Sequence, residues 1–448
     1  MKGEDIYSAM DGIKDDILVR SEMNKGRLKK KKWIWPAVAG IAVAVILAIV
    51  VFINGNKKVL ASNLMEGIVP SGDMEVATAL EYAPALTDFS IRFFKECYMD
   101  GTNQLVSPLS AIYALGITAN GADGETLSQM ENAFGISSET MNRYLYSYIS
   151  NLSRGENYKL ELANSIWVEE GLKNVKNDFL QTNADYYDAD IYRLPFDESA
   201  VNTVNSWVND KTDGMIPAII NELSPEEVMI LINALCFDAR WEEPYDERAV
   251  RDDVFQREDK SMSTVPFMFS TEKKYIEDEY ATGFIKPYAY GKYAFVALLP
   301  NEGVSVKDYV SSLNGQKVLE MLNSASNEEV RTKMPKFKAE YKIPLTDALK
   351  RMGITDAFGS SADFTRMASK EDALLYISQV IQKTYIEVDE KGTKAAAVTA
   401  VLMGDGAGTA PIQDYKTVYL DRPFVYMLID CRSNVPFFIG TLMDVPKH

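Results

Sequence analysis

The feature that most constrains this chain is a run of 21 residues without a charge, Trp33 to Ile53 (WIWPAVAGIAVAVILAIVVFI). As an α-helix rising about 1.5 Å per residue, such a run can cross the hydrocarbon core of a bilayer. Lys29 to Lys32 precede it, with Lys25 and Arg27 just before. Trp33 and Trp35 stand where aromatic rings favour the membrane–water boundary. The basic flank predicts residues 1–32 as a cytoplasmic tail, residues 33–53 as a transmembrane anchor in the cell membrane, and everything after Asn54 outside the cell. A cleaved signal peptide is the competing reading. The 32-residue leader, the long apolar core and the lack of a clear A-x-A site argue against it.

Charge divides the chain in the same place. Residues 1–32 carry nine basic and six acidic side chains, a net +3, which leaves −20 for the remainder of a chain whose total is −17. So acidic an exterior argues against a nucleic-acid partner. Within the tail, Ile6, Met10, Ile13 and Ile17 recur at helical spacing, which fits a short amphipathic helix or a solvated, partly helical segment. Residues 54–78, with Asn54-Gly-Asn56 and Pro70-Ser-Gly-Asp73, read as a linker. Residues 79–448 show no internal repeat or low-complexity break and read as one large domain.

Histidine usage narrows the chemistry. The one histidine is the terminal residue, His448. Ser-His-Asp and Cys-His nucleophile systems need a positioned imidazole, so a hydrolase of those classes is excluded. HExxH and Cys/His zinc patterns are absent from the sequence, so no metal site or cofactor is expected. Carboxylate pairs remain formally available among 64 acidic residues and carry no specificity. The three cysteines, Cys97, Cys236 and Cys431, are widely spaced in apolar or aromatic settings and read as buried thiols. An enzyme is therefore not expected.

The pattern of elements points to a mixed α/β (α+β) domain. Helices are predicted over Asp88–Cys97, Ser110–Thr118, Gly124–Phe134, Ser138–Leu152 and Val201–Lys211. Strands are predicted over Leu160–Val168, Val228–Ala239, Tyr293–Leu299, Glu329–Pro335, Leu374–Val380, Thr384–Asp389, Thr417–Leu420, Phe424–Asp430 and Phe437–Leu442. Helices first and strands later suggest large, mainly antiparallel sheets.

The segment after Tyr385–Asp389 has an alternation of its own. Thr393, Ala395, Ala397, Thr399, Val401 and Met403 would share one face of a strand; none is charged, and four of the six are Ala or Thr. That face could enter a sheet at little desolvation cost. Ala396 completes a permissive Ala triplet, and Gly392 offers backbone freedom ahead of it. The segment is either a hinge with a moving loop behind it or an ordinary small-residue loop between strands.

Several ordered segments resemble the serpin family over about residues 80–446. These are Asn103-Gln-Leu-Val-Ser-Pro-Leu-Ser110; Val204-Asn-Ser-Trp-Val208 with Asp213-Gly-Met-Ile216; Leu231-Ile-Asn-Ala234 through Trp241-Glu-Glu-Pro-Tyr245; Met334-Pro-Lys-Phe-Lys338; Met352-Gly-Ile-Thr-Asp-Ala-Phe358; Ile386-Glu-Val-Asp-Glu-Lys-Gly-Thr393; and Asp421-Arg-Pro-Phe-Val425. The resemblance implies a serpin fold with a large central sheet, further antiparallel sheets and eight to nine helices, and a reactive loop over about 390–416. It implies a suicide-type inhibitor that acts as a monomer on a target serine protease, here a membrane-anchored member of bacterial type. The protease cuts the loop, forms an acyl-enzyme, and is trapped when the loop inserts into the central sheet. A non-inhibitory serpin acting as a binding or structural surface protein is the alternative. Glu390, Gly392, Thr393, Ala395, Ala396, Ala397 and Thr399 match the family's hinge. Ser107, Ser110, Asn233, Trp241, Lys336 and Gln382 match its sheet-opening region, with Glu390 and Lys336 expected to pair.

Two departures from the family matter. Gln382 stands where the family usually has His; it can donate and accept hydrogen bonds but cannot take a proton. Lys394 replaces a frequent acidic residue and is expected to face outward. Between Lys394 and Lys416 there is no Lys or Arg, so the bait suits elastase-, chymotrypsin- or subtilisin-like pockets rather than trypsin-like ones. The reactive-bond candidates are Leu402, Met403, Gly404, Asp405, Gly406 and Ala407. The family's spacing from Glu390 points to Gly406, spacing back from Arg422-Pro-Phe424 points nearer Ile412, and Leu402 or Met403 offers the larger side chain.

Overall fold

The computed structural model describes residues 61–72, 74, 79–150, 158–370, 374–393 and 415–445. The tail, the apolar run 33–53 and the loop 394–414 lie outside the described residues. Among those described, no helix is long and apolar enough to cross a membrane. The chain divides after Lys58, and the fold belongs to the unit Val59–His448.

In chain order the first half comprises β1 (Ser62–Asn63), α1 (Ala79–Cys97), β2 (Gln104–Val106), α2 (Pro108–Ala119), α3 (Gly124–Phe134), α4 (Ser138–Ser150), β3 (Tyr158–Glu169), α5 (Asn177–Tyr187), β4 (Asp190–Leu194), α6 (Glu198–Lys211) and β5 (Met229–Arg240). The second half comprises β6 (Val250–Gln256), β7 (Met262–Glu272), β8 (Tyr275–Glu277), β9 (Ala281–Pro287), β10 (Tyr293–Pro300), α7 (Val306–Ser312), α8 (Gly315–Asn323), β11 (Val330–Pro335), β12 (Phe337–Pro344), α9 (Thr346–Arg351), β13 (Gln379–Val388), β14 (Gly392–Thr393), β15 (Lys416–Tyr419), β16 (Phe424–Asp430) and β17 (Pro436–Leu442).

The strands form three sheets. The central one has the order β1-β4-β3-β5-β14-β13-β12; a second runs β2-β17-β16-β10-β9-β8; a third runs β15-β11-β7-β6. The expected mainly antiparallel pattern holds in the second sheet. The central sheet is mixed, because β3 pairs β4 and β5 pairs β13 in parallel.

Local chemistry explains the elements beneath the central sheet. Helix α2 starts where the Ser107 hydroxyl accepts a hydrogen bond from the Ser110 amide at 3.1 Å, with Pro108 in the first turn. All twelve of its residues are buried, as expected for a helix apolar on every side. Strand β5 separates two apolar layers by simple alternation. Leu231, Leu235, Phe237 and Ala239 join the main core, while Ile230, Ile232, Ala234 and Cys236 join a second core with Val204 and Trp207 of α6.

Some expectations are corrected. Leu374–Val380 and Thr384–Asp389 are not two strands. One strand, β13, runs through Gln379–Val388, and the backbone before it bonds elsewhere, Ile377 N to Ala357 O and Ser378 N to Met229 O. Helix α1 begins well before Asp88 and carries Pro84 inside it; the carbonyl that Pro84 leaves without a partner belongs to the exposed Leu80, where water can reach it. Cys431 is exposed at the turn after β16 rather than buried. Part of the expected linker is held against the domain: β1 pairs β4, and Val69 O and Ser71 N bond to Gln181 and Asp185 of α5 at 2.9 and 2.7 Å.

Candidate functional site

The described part of the expected hinge, up to Thr393, forms a hairpin. Val388 pairs Thr393, Asp389 N donates to Gly392 O at 2.9 Å, and the Asp389 carboxylate accepts from Lys391 N and Gly392 N at 2.8 and 3.1 Å. Burial pushes the Asp389 carboxyl above its ordinary 3.8. The returning arm, β14, lies between β5 and β13, with Gly392 opposite Arg240 and Thr393 opposite Ala239. A Cβ on Gly392 would stand 2.1 Å from Ala239 O. Gly392 is thus required by close approach to β5, a different reason from the backbone freedom expected.

Thr393 is fully buried, and its hydroxyl shares a 2.6 Å hydrogen bond with Tyr288. Three successive hinge carbonyls are held by donors from one segment: Trp241 Nε1 to Asp389 O at 2.9 Å, Tyr245 N to Glu390 O at 2.8 Å, and Trp241 N to Lys391 O at 2.9 Å. Lys336 pairs with Glu390 at 2.6 Å, as expected. Burial would raise the Glu390 carboxyl, but the Lys336 bond, with help from the backbone, holds it below its ordinary 4.5.

Beyond Thr393 the seam between β5 and β13 is closed. The two strands pair directly from Gln379 opposite Ile230 to Tyr385 opposite Cys236. Beneath that seam Gln382 is fully buried, with its amide nitrogen donating to Ser107 O (2.8 Å) and Asn233 Oδ1 (2.7 Å), and its oxygen accepting from Ser107 N (2.8 Å). Asn233 in turn donates to Ser110 O and to Asn164 Oδ1, the latter at 2.6 Å. The cluster therefore ties three strands of the central sheet to the start of α2.

The expected sheet-opening residues fall into two groups. Ser107, Ser110, Asn233 and Gln382 meet under the middle of the seam; Trp241 and Lys336 stand with Glu390 at the hinge. Ala395, Ala396, Ala397, Thr399 and the candidates Leu402 to Ala407 lie outside the described residues. Sequence reasoning missed Asn164 and Tyr288. Asn164 was detectable as the polar residue that follows Leu160 and Leu162 on the same alternation of β3. Tyr288 follows a strand end, and no local signal marks it.

A family model described as Serpin (serine protease inhibitor) matches residues 84–445. Neuroserpin of Mus musculus is 27% identical over 382 residues, covering 80% of this chain and 90% of that protein. Leukocyte elastase inhibitor of Bos taurus is 30% identical over 355 residues, covering 76% and 92%. Among solved structures, the thermophilic serpin Tengpin in its native state is 46% identical with a TM-score of 0.82, covering 86% of this chain and all of that one. Against Tengpin in its latent state the TM-score is 0.73 at 45% identity, with 83% of this chain and all of that one covered.

Proposed function

The chain belongs to the serpin family, and from that premise we propose that it is a suicide-type inhibitor of serine proteases, held outside the cell by residues 33–53. What carries this reading is the position of Gly392 and Thr393, already paired at the head of the seam that a cleaved loop would have to enter. Continuing their antiparallel register steps one loop residue down β5 at a time. Ala395 then falls opposite Phe237, Ala397 opposite Leu235, Thr399 opposite Asn233 and Met403 opposite Met229, the first residue of β5. The residues that would face the main core, on the side of Phe237 and Leu235, are uncharged, and Thr399 would bring a hydroxyl to the place where Gln382 now bonds Asn233. From Thr393 to Met403 the path is about 34 Å, enough to carry an attached protease far along the sheet.

Inhibition is a race between water attacking the acyl bond and the loop zipping into the seam. Small inward residues and a preformed first pair favour the loop. The absence of Lys and Arg from 395–415 favours elastase-, chymotrypsin- or subtilisin-like targets. The name of the bovine relative, an elastase inhibitor at 30% identity, agrees with that class.

The test is incubation with elastase- and subtilisin-type proteases followed by denaturing gels. A covalent complex is expected. Complete cleavage with no complex and no gain in thermal stability would overturn the inhibitor reading in favour of a binding or structural role. For the anchor, the chain should stay with membranes after an alkaline wash, and a chain lacking residues 1–58 should not.

A further inference from the structure

We propose that Lys286, on β9, is a positioning residue that keeps the hinge hairpin seated as the nucleus for loop insertion; this rests on the inhibitor reading above. Lys286 is a buried amine, 2% exposed, and burying a charge is costly unless it is paired and hydrogen-bonded. Its Nζ donates to Glu272 Oε1 at 2.8 Å and to Glu243 O at 3.0 Å, and lies 4.3 Å from the Tyr245 ring centre and 5.4 Å from that of Trp241. Glu272 is buried as well and accepts from Ser270 Oγ. Glu272 neutralises the charge, and the other contacts of Nζ, one carbonyl and two ring faces, all come from residues 241–245.

Those residues are the ones that hold the hinge. Glu242 N donates to Pro287 O at 3.0 Å, next to Lys286, so the segment is strapped to the end of β9 on both sides. It presents Trp241 N, Trp241 Nε1 and Tyr245 N to the carbonyls of residues 391, 389 and 390. Trp241 also stacks on Tyr288 with ring centres 4.4 Å apart, and Tyr288 bonds Thr393. Contacts thus run without a gap from the Glu272–Lys286 pair to Thr393 in the sheet.

The direction of the effect separates positioning from plain stability. If Lys286 only stabilised the fold, its loss would loosen the sheet and the loop would enter faster. If it seats the nucleus, its loss makes entry slower, because the first pairs must form again before the rest can zip. The full-length chain in detergent, as wild type, Lys286→Met, Lys286→Arg and Tyr288→Phe, would be assayed for moles of inhibitor consumed per mole of subtilisin-type protease. The rate at which thermal stability rises after loop cleavage would be followed in parallel.

The expected result for Lys286→Met is a severalfold higher stoichiometry and a slower rise, with Lys286→Arg close to wild type. Unchanged stoichiometry, faster insertion, or an Arg variant as impaired as the Met variant would each overturn the proposal. Should Lys286→Met not fold, Tyr288→Phe, which removes one hydroxyl, must shift both readouts the same way, and no shift would overturn it. If wild type forms no covalent complex, the inhibitor reading fails, yet the insertion rate after cleavage still decides on Lys286.

Discussion

Gln382 and Asn233 stand opposite each other on adjacent parallel strands, and the Gln382 amide nitrogen bridges the seam to Asn233 Oδ1 at 2.7 Å. Any strand entering between β5 and β13 must break that bond, since it moves the two strands from about 4.8 Å to twice that distance apart. The bridge is one of three bonds that Gln382 makes, and the other two go to the backbone of Ser107. The resistance to opening at mid-sheet is therefore built from groups that do not titrate near neutrality.

Replacing Gln382 by His should make opening pH-dependent. Gln382 supplies one acceptor, to Ser107 N, and two donors. Neutral imidazole has one of each, and imidazolium has donors alone. Protonation would leave the buried Ser107 N facing a donor, so the charged form is disfavoured in the closed sheet and the histidine's pKa is depressed there. Its contribution to the closed state would be present above about 6.5, the ordinary histidine value, and lost as pH falls through the depressed one. Divided by the protease's own rate on a small substrate at each pH, which removes the titration of its catalytic histidine, inhibition rates from pH 5 to 8 should be flat for wild type and rise toward acid for Gln382→His. Superimposable profiles would sink the idea.

Thr393→Arg should convert inhibitor into substrate. Thr393 is fully buried between two strands, and an unpaired guanidinium there costs several kcal/mol. The chain should respond by keeping β14 out of the seam rather than by unfolding, because β5 and β13 already pair directly with each other from Gln379 to Tyr385. The loop would then be cut at a normal rate, with cleaved chain and free protease on the gel. A stoichiometric covalent complex in this variant would count against insertion as the mechanism.

The parts of this design differ in how legible they were in the sequence. Strand β5 was read to within a residue at each end because its alternating layers are both apolar. Strand β13 was split in two, and Gln382 is the cause: a buried polar residue interrupts the apolar run that marks a strand. Helix α5 was passed over although Phe179, Leu180, Asn183, Ala184 and Tyr187 are buried at helical spacing, because its composition is otherwise polar. Thr393 and Ala395 were placed on one face by period alone, but nothing local says that Thr393 is already inside the sheet. That depends on Tyr288, 105 residues away, and on the closeness of Ala239 O to Gly392. Asn164 stands out locally as a polar residue on the alternation of Leu160 and Leu162, but its partner Asn233 is legible only once β3 lies beside β5.

Lys336→Met should invert the pH dependence that Glu390 contributes. With Lys336 present the Glu390 carboxyl is held below 4.5 against burial. Its ionised form adds stability above 4.5 that is lost as pH falls through the lowered value. Without Lys336 burial prevails, the carboxyl rises above 4.5, and the same group becomes destabilising at neutral pH. The melting temperature of Lys336→Met should fall most near pH 7, by the equivalent of ~1 to ~3 kcal/mol for a partly buried pair, and approach wild type toward pH 4. The gap should shrink in a Glu390→Gln background. A gap independent of both pH and Glu390 would mean that Lys336 acts through its hydrocarbon stem.

The length of β5 bounds the reactive bond. In the register set by Gly392 and Thr393, loop residues run out of partners on β5 at Met403, opposite Met229, and on β13 at Leu402, opposite Gln379. A protease attached before that point would halt while part of the seam was still closed, its active site short of the sheet's end. Cleavage after Met403, Gly404, Asp405 or Gly406 lets every rung form and leaves a tether of at most about three residues. Cleavage near Ile412 would leave about nine residues, roughly 30 Å of slack at full extension, through which the protease could stay relaxed and deacylate. Intact mass of the peptide released from the denatured complex should therefore place its first residue between Gly404 and Ala407. A first residue at or beyond Pro411 would show that insertion and cleavage are not matched in length.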